Sequence, residues 1–204
     1  MNFTSQVTDA RNIEMKATLD NVAEKLEIIK GLADTEGKII KQFDTFYNVQ
    51  EGRLKLRKFE DKTDEPIAEL IFYVRPNATG AKLCNYKKMD VDSKTYDSLN
   101  GILSASLGVQ GTVSKKRLLF LIGQTRVHVD EVDGLGSFIE LETVLDATQS
   151  IEEGHQILKE LMSKLKIDTK KCLEVSYNDM LISAASSNKT LDKSVPQFVK
   201  NTMV

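Results

Sequence analysis

Charged residues alternate with apolar ones along residues 126–142, and this pattern constrains the fold more than any other feature of the chain. Successive side chains of a β-strand point to opposite faces, so every second residue shares a face. Two strands are predicted, one on each side of a turn at Gly134 and Gly136. Their charged faces hold Arg126, His128 and Asp130 in the first strand, and Glu140 and Glu142 in the second. Because the other faces are apolar and can pack beneath a covering layer, the charged faces can line an interior.

Four further segments carry charge in the same strand phase. They contribute Glu14 and Lys16, then Arg53, Lys55 and Arg57, then Arg75 in phase with Tyr73 and Ile71, then Lys115 and Arg117. A solvated sheet with ion pairs between strands would explain any one of these segments. The repetition of charge in strand phase along the chain favours a shared interior instead. If one sheet brings these faces to a common axis, several cations meet three or four carboxylates, a composition that suits a polyanion with a divalent metal.

The pattern of apolar and polar residues predicts seven strands and four helices along the chain. The strands cover residues 11–18, 38–49, 52–59, 67–75, 109–122, 124–132 and 137–145. The helices cover residues 21–30, 92–107, 151–165 and 177–183. Asp20 and Ser150 are predicted to cap the first and third helices, since short polar side chains accept hydrogen bonds from the first free backbone amides.

Three of the charged segments resemble the signature motifs of the CYTH superfamily, the triphosphate tunnel metalloenzymes. Residues 12–16 are similar to its ExExK motif, residues 52–57 to its basic second motif, and residues 126–142 to its late strand pair. Their spacing is most similar to the branch of class IV adenylyl cyclases and thiamine triphosphatase-like proteins. The resemblance covers about residues 11–182. It implies an α+β fold, a closed eight-stranded antiparallel β-barrel with helices packed outside, whose tunnel binds a triphosphate beside a divalent metal.

The resemblance also implies a role for each charged position. Catalysis is predicted for Lys16, Arg57 and Arg126. Binding of the triphosphate is predicted for Arg53, Lys55, Arg75, Lys115, Arg117 and His128. Ligation of Mg²⁺ or Mn²⁺ is predicted for Glu14, Asp130, Glu140 and Glu142. These roles follow the general chemistry in which cations stabilise phosphoryl charge and hard metal ions prefer oxygen ligands.

Asn12 departs from the family motif, which has glutamate at this position. An amide oxygen can coordinate a hard cation but carries no negative charge. Glu14 is then the remaining carboxylate of the first motif. Two outcomes are open: metal binding is weaker than in relatives with both acids, or the metal site depends mainly on Glu140 and Glu142.

Three functions remain open from the sequence. A metal-dependent hydrolase of tripolyphosphate, thiamine triphosphate or a nucleotide such as ATP requires only the tunnel. A class IV-type adenylyl cyclase, which makes cyclic AMP and pyrophosphate from ATP, is favoured by the branch that the motifs resemble. A phosphate- or nucleotide-binding protein with weak catalysis is suggested by Asn12.

Length and composition fit one compact domain. A chain of 204 residues can bury a sizeable core, and we predict a single domain over residues 1–185 with a loose tail at residues 186–204. The formal net charge of -2 argues against a broad nucleic-acid surface. No apolar run approaches membrane-spanning length, residues 1–8 do not show the basic and apolar regions of a signal peptide, and the two cysteines allow at most one disulfide. We therefore expect a cytoplasmic monomer or homodimer whose partner is a small triphosphate, with neither nucleic acid nor membrane as a partner.

Overall fold

A computed structural model describes residues 7–192 and contains eight strands, four α-helices and one 3-10 turn in that range. The strands are β1 (Thr8–Thr18), β2 (Lys38–Tyr47), β3 (Arg53–Phe59), β4 (Ala68–Val74), β5 (Lys82–Val91), β6 (Val109–Ile122), β7 (Thr125–Val132) and β8 (Gly136–Leu145). The helices are α1 (Val22–Leu32), α2 (Ser93–Leu107), α3 (Ile151–Lys164) and α4 (Tyr177–Asp192), with the 3-10 turn at Thr169–Lys171.

All eight strands form one closed antiparallel barrel in the order β1-β5-β4-β3-β2-β6-β7-β8. The barrel closes because β1 pairs with β8 on one side and with β5 on the other. Closure gives every strand two neighbours, so no strand edge is left free. The predicted α+β fold, a closed eight-stranded barrel with helices outside, is confirmed.

Strand β5 was missing from the seven strands that the alternation predicts. Its two faces both mix apolar and charged residues, with Leu83 and Lys87 on one face and Cys84 and Lys88 on the other. Neither face therefore gives the uniform signal on which a strand prediction depends. Its place in the sheet is set by pairing with β1 and β4, which are distant in sequence.

The main apolar core lies between the barrel and the helices packed against its outer face. Fully buried residues of β1 and β8, such as Met15 and Leu141, pack there with Leu158 and Leu165 of the α3 segment. Ser150 caps helix α3 as predicted, and its side chain and that of Glu153 form a reciprocal capping box. Helix α1 is capped by Asn21 and not by the predicted Asp20. A smaller core packs α2 on the opposite side of the barrel. Because these outer cores take the apolar faces of the strands, the polar faces point to the barrel axis.

One end of the barrel, where β1 ends and β3 begins, is covered by the first residues of α4; we call it the covered end. Tyr177 of α4 joins a buried apolar cluster with Phe46, Val113, Val132 and Phe138. Helix α4 continues to Asp192, past the helix end predicted at residue 183. The rest of the predicted tail, residues 193–204, lies outside the described residues. Within the described part of the chain, no helix is both long and apolar enough to cross a membrane.

Candidate active site in the barrel

The barrel encloses a cavity of about 270 Å³ that is lined by inward side chains from all eight strands and by the start of α4. The predicted residues that line it are Glu14, Lys16, Lys55, Arg57, Arg75, Lys115, Arg117, Arg126, His128, Glu140 and Glu142. The prediction that charged residues in strand phase point inward is therefore confirmed for these positions.

Two of the predicted site residues lie elsewhere. Arg53 is at the covered end, where its guanidinium donates to Asp179 Oδ2 at 2.8 Å and Asn77 Oδ1 at 3.0 Å. It lines a second, polar cavity with those two residues. Asp130 is fully buried and does not line the main cavity. Both of its carboxylate oxygens accept hydrogen bonds from Arg117, at 2.7 and 2.6 Å, so Asp130 is occupied by ion pairing.

Strands β1, β7 and β8 form the acidic wall of the cavity. Their register places Glu142 opposite Glu14, and Glu140 opposite both Lys16 and His128. One ligand atom from each of His128, Glu140 and Glu142 lies within 4.8 Å of the others. His128 thus joins two carboxylates, although the sequence predicted a contact with phosphate.

Two buried polar atoms on the acidic wall have no hydrogen-bond partner, His128 Nδ1 and Asn12 Oδ1. The nearest carboxylate oxygens to His128 Nδ1 are 3.6 Å away on Glu140 and 3.8 Å away on Glu142, too far for hydrogen bonds. A buried polar atom without a partner costs free energy, and such atoms are rare unless a ligand completes them. Carboxylate and amide oxygens suit Mg²⁺ or Mn²⁺, whereas an imidazole nitrogen is a ligand typical of transition-metal ions, so the full donor set fits Mn²⁺ better than Mg²⁺.

Ion pairs set the charge of the acidic wall. Burial, followed by the nearby Glu140, raises the pKa of Glu14, although Arg75 Nη1 lies 2.5 Å from Glu14 Oε1. Burial also opposes ionisation of Glu140, but Lys16 and Arg117 are among the groups that hold its pKa well below the usual range. Their nitrogens lie 3.1 and 2.6 Å from Glu140 oxygens. Glu140 is therefore anionic at neutral pH, and Glu14 is the carboxyl of this wall that is more easily protonated.

Strands β2, β3 and β6 form the opposite, basic wall. Asp44 on β2 accepts from Lys55 at 2.9 Å and from Arg57 at 2.7 Å. Burial disfavours the Asp44 carboxylate, but these two cations hold its pKa well below the usual range. Sequence reasoning missed Asp44, although it is in phase with Gln42 along the strand. Asp44 fixes the orientation of two cations that face the cavity.

Tyr177 forms the floor of the cavity at the covered end. Its ring centroid lies 3.8 Å from Lys16 Nζ and 5.1 Å from Lys115 Nζ. Its hydroxyl donates to Asp130 at 3.0 Å. Ammonium groups over an aromatic face are attracted by the ring quadrupole, so Tyr177 positions both lysines. Sequence reasoning missed it because it begins a helix and follows no strand pattern.

The family model of the CYTH domain matches residues 10–177. This chain belongs to the CYTH family. The match spans most of the chain and includes every strand that lines the cavity, so the resemblance of the motifs is confirmed. No curated protein sequence matches this CYTH chain.

Solved structures share the barrel fold of this CYTH domain. The PH1012 protein of Pyrococcus horikoshii is 18% identical with a TM-score of 0.68, and the match covers 82% of this chain and 98% of that one. A candidate adenylate cyclase from Vibrio parahaemolyticus is 20% identical with a TM-score of 0.63, covering 84% and 98%. A Hippeastrum protein with a dominant triphosphatase activity is 13% identical with a TM-score of 0.58, covering 86% and 96%. At these identities the likeness shows the fold alone.

Proposed function

We propose that this CYTH protein is a divalent-metal-dependent hydrolase that cleaves a triphosphate held inside the barrel. The observation that carries the proposal is the division of one cavity into an acidic wall on β1, β7 and β8 and a basic wall on β2, β3 and β6. Polyphosphates need several cations around their oxygens, and a divalent metal on one side neutralises further charge. The triphosphatase activity of the Hippeastrum protein supports the same reaction class.

The basic wall would bind the phosphate oxygens. Lys55, Arg57 and Arg117 are held in fixed directions by the buried carboxylates of Asp44 and Asp130. Fixed cations stabilise developing charge at little reorganisation cost, which is the main electrostatic contribution in phosphoryl transfer. The remaining lining cations are Lys16, Arg75, Lys115 and Arg126.

The acidic wall would hold the metal through His128, Glu140 and Glu142, with Glu14 and Asn12 beside them. A bound Mg²⁺ or Mn²⁺ would act as a Lewis acid toward phosphate oxygens and lower the pKa of a water molecule. Asp130, predicted from the sequence as a ligand, would instead orient Arg117.

We assign Lys16 a catalytic role, in which its ammonium group contacts the reacting phosphate. Its ammonium lies between Glu140 of the acidic wall and the Tyr177 ring at the covered end. In the proposed reaction a water oxygen attacks the terminal phosphorus. The bond to the bridging oxygen breaks, and its electron pair stays on the diphosphate. The proton of that water passes to Glu14, the lining carboxylate next to the His128, Glu140 and Glu142 cluster but outside it, while Lys16 stabilises the charge that develops.

An adenylyl cyclase is the second candidate, supported by the fold shared with the Vibrio protein and by the branch that the motifs resemble. It would use the same binding residues. The nucleophile would be the ribose hydroxyl of ATP, the inner phosphorus would be attacked, and pyrophosphate would leave. The two reactions therefore differ in their products.

Product analysis tests the proposal. The purified protein is incubated with tripolyphosphate, thiamine triphosphate or ATP, each with Mg²⁺ and with Mn²⁺, and phosphate, pyrophosphate and cyclic AMP are resolved. We expect phosphate and the diphosphate of each substrate in equal amounts, without cyclic AMP. Cyclic AMP with pyrophosphate would identify the cyclase instead. Binding of a triphosphate without turnover would identify a binding protein with vestigial catalysis.

Replacement of Glu142 by glutamine tests the metal site. We expect Glu142→Gln to raise the half-saturating Mg²⁺ concentration by about tenfold or more, because one anionic ligand is lost from a hard-cation site. Glu131→Gln is the matched control, since Glu131 is exposed on the outer face of β7. A metal titration of hydrolysis compares the two variants, and equal half-saturation in both would refute the assignment of Glu142.

A further inference from the structure

The second cavity lies at the covered end, has a volume of about 330 Å³ and shares Arg75 with the main cavity. Arg75 is 8% exposed, so this shared wall is buried. Val49 and Val74, which also line the second cavity, are 36% and 47% exposed. The second cavity therefore leads from the surface to a buried cation of the main cavity.

Two arginines that line the second cavity have unused hydrogen-bond donors. Arg75 Nη1 lies 2.5 Å from Glu14 Oε1, but Arg75 Nε is buried and has no hydrogen-bond partner. Arg53 donates through Nη2 to Asn77 and Asp179, and its other nitrogens donate to no described side chain. Because a guanidinium carries five N–H donors, both arginines can still bind an acceptor.

Two side-chain amides in the same wall use their oxygens but not their nitrogens. Asn77 Oδ1 accepts from Arg53 at 3.0 Å, and Gln110 Oε1 accepts from Asn178 Nδ2 at 3.0 Å. Between described residues, the amide nitrogens of Asn77 and Gln110 take part in no hydrogen bond. Each amide nitrogen carries two N–H donors. The wall of the second cavity thus offers donors from four residues.

Asp179 supplies the carboxylate of the second cavity. Its Oδ2 accepts from Arg53 at 2.8 Å and from the backbone amide of Ser176 at 3.0 Å. Its Oδ1 accepts no hydrogen bond within the described part of the chain. Because the two arginines outnumber this carboxylate, the lining favours an anion over a metal cation. A ligand that satisfies the wall must accept several hydrogen bonds and donate one.

We propose that the second cavity binds inorganic phosphate in a protonated form. Orthophosphate keeps a P–OH group at neutral pH, which donates to Asp179 Oδ1, while its other oxygens accept from Arg53, Arg75 and the two amides. Sulfate has no proton to donate at neutral pH, and a phosphate monoester loses its last one above about pH 6. This site goes beyond the proposed function, since binding needs no hydrolysis, although the proposed reaction would release the same ion.

Calorimetric titration with sodium phosphate at neutral pH tests the inference. The titration is made with the metal-free protein in EDTA, alone and with saturating tripolyphosphate, which fills the main cavity without turnover. We expect the tripolyphosphate-loaded protein to bind one phosphate per chain. Sodium sulfate and glycerol phosphate should bind at least about tenfold more weakly, because a site that accepts a hydrogen bond from its ligand discriminates against analogues without the donor.

Two isosteric variants place the phosphate in the second cavity. Gln110→Glu and Asn77→Asp keep the oxygen that accepts a hydrogen bond, but each replaces an unused amide donor by a negatively charged oxygen. We expect the affinity for phosphate to fall about tenfold or more in each variant, because like charges repel. Gln156→Glu is the charge-matched control, since Gln156 is exposed on α3. This control should bind phosphate like the natural protein.

The other outcomes are equally defined. Unchanged phosphate affinity in both variants would overturn the inference, and so would sulfate that binds as tightly as phosphate. If tripolyphosphate does not bind, the proposed function fails, but the phosphate titrations of the variants still decide this inference. Circular dichroism and thermal melting show whether each variant is folded.

Discussion

Asn12 is a single residue whose chemistry bears on metal affinity. It is 2% exposed, and its side-chain oxygen has no hydrogen-bond partner in the structure. We expect Asn12→Glu to leave the half-saturating Mg²⁺ concentration unchanged or higher, because a further carboxylate joins a wall where burial and Glu140 already raise the pKa of Glu14. Asn12→Gln is the control of equal length without charge. Metal titration of hydrolysis compares the three proteins. A much lower half-saturating Mg²⁺ concentration in Asn12→Glu would show that the natural protein is an impaired enzyme.

Lys115 gives the site a pH dependence. Burial, followed by the nearby Arg117, lowers the pKa of Lys115 to about 7. The ammonium is therefore charged below this pH and neutral above it, so we expect affinity for a triphosphate to fall as the pH rises through about 7. A bound anion favours the charged form and would move the fall to higher pH. Lys115→Arg keeps its charge and should flatten the profile, and identical pH profiles of Kd for the two proteins would contradict this role.

At the scale of strands and helices, the sequence predicts elements whose pattern is local. Seven of the eight strands were predicted, and on the six that carry charge in strand phase the predicted charged residues line the main cavity, except for Arg53 and Asp130. Strand β5 was missed because its register depends on β1 and β4, which no local pattern reveals. The same limit applies to the site: Asp44 and Tyr177 have roles that depend on partners from other elements. His128 and Asp130 are in phase on one strand, yet they meet different partners, because pairing across strands decides the contacts of each residue.

Lys82 connects β5 to the segment that leads into α4. Its ammonium donates at 3.1 Å to each of three backbone carbonyls, those of Ala78, Leu173 and Glu174. We expect Lys82→Met to cost roughly 2 kcal/mol of unfolding free energy, because buried carbonyls lose a charged donor. Amide hydrogen exchange should increase in residues 173–177. Lys87→Met is the control, since Lys87 is exposed on the outer face of the same strand. Equal exchange in both variants would show that Lys82 does not hold this segment.

The molecule has two separate buried regions. One is apolar and lies between the helices and the outer face of the barrel, and the other is ionic and lies inside the barrel. The outer cores pack the helices against the strands, and the inner ion pairs are removed from water by the closed sheet. Buried ion pairs often contribute little net stability, because desolvation offsets their attraction. The fold therefore rests mainly on the outer cores. The formal net charge of -2 is consistent with this division, since cations concentrated inside leave the outer surface acidic on balance.

A ligand that completes the ionic interior should stabilise the whole fold. A ligand at 100 times its Kd adds about 2.7 kcal/mol to the unfolding free energy, and for a chain of this size that raises Tm by about 5–10 °C. We expect this shift with a triphosphate and Mg²⁺ together, and a smaller one with either alone, because the triphosphate neutralises the basic wall and the metal neutralises the acidic wall. Thermal unfolding is measured with sodium chloride at matched ionic strength as the control. Glu142→Gln should keep the shift caused by the triphosphate alone and lose most of the part added by Mg²⁺. A shift that sodium chloride reproduces, or that Mg²⁺ increases equally in Glu142→Gln, would mean that the barrel does not bind the two together.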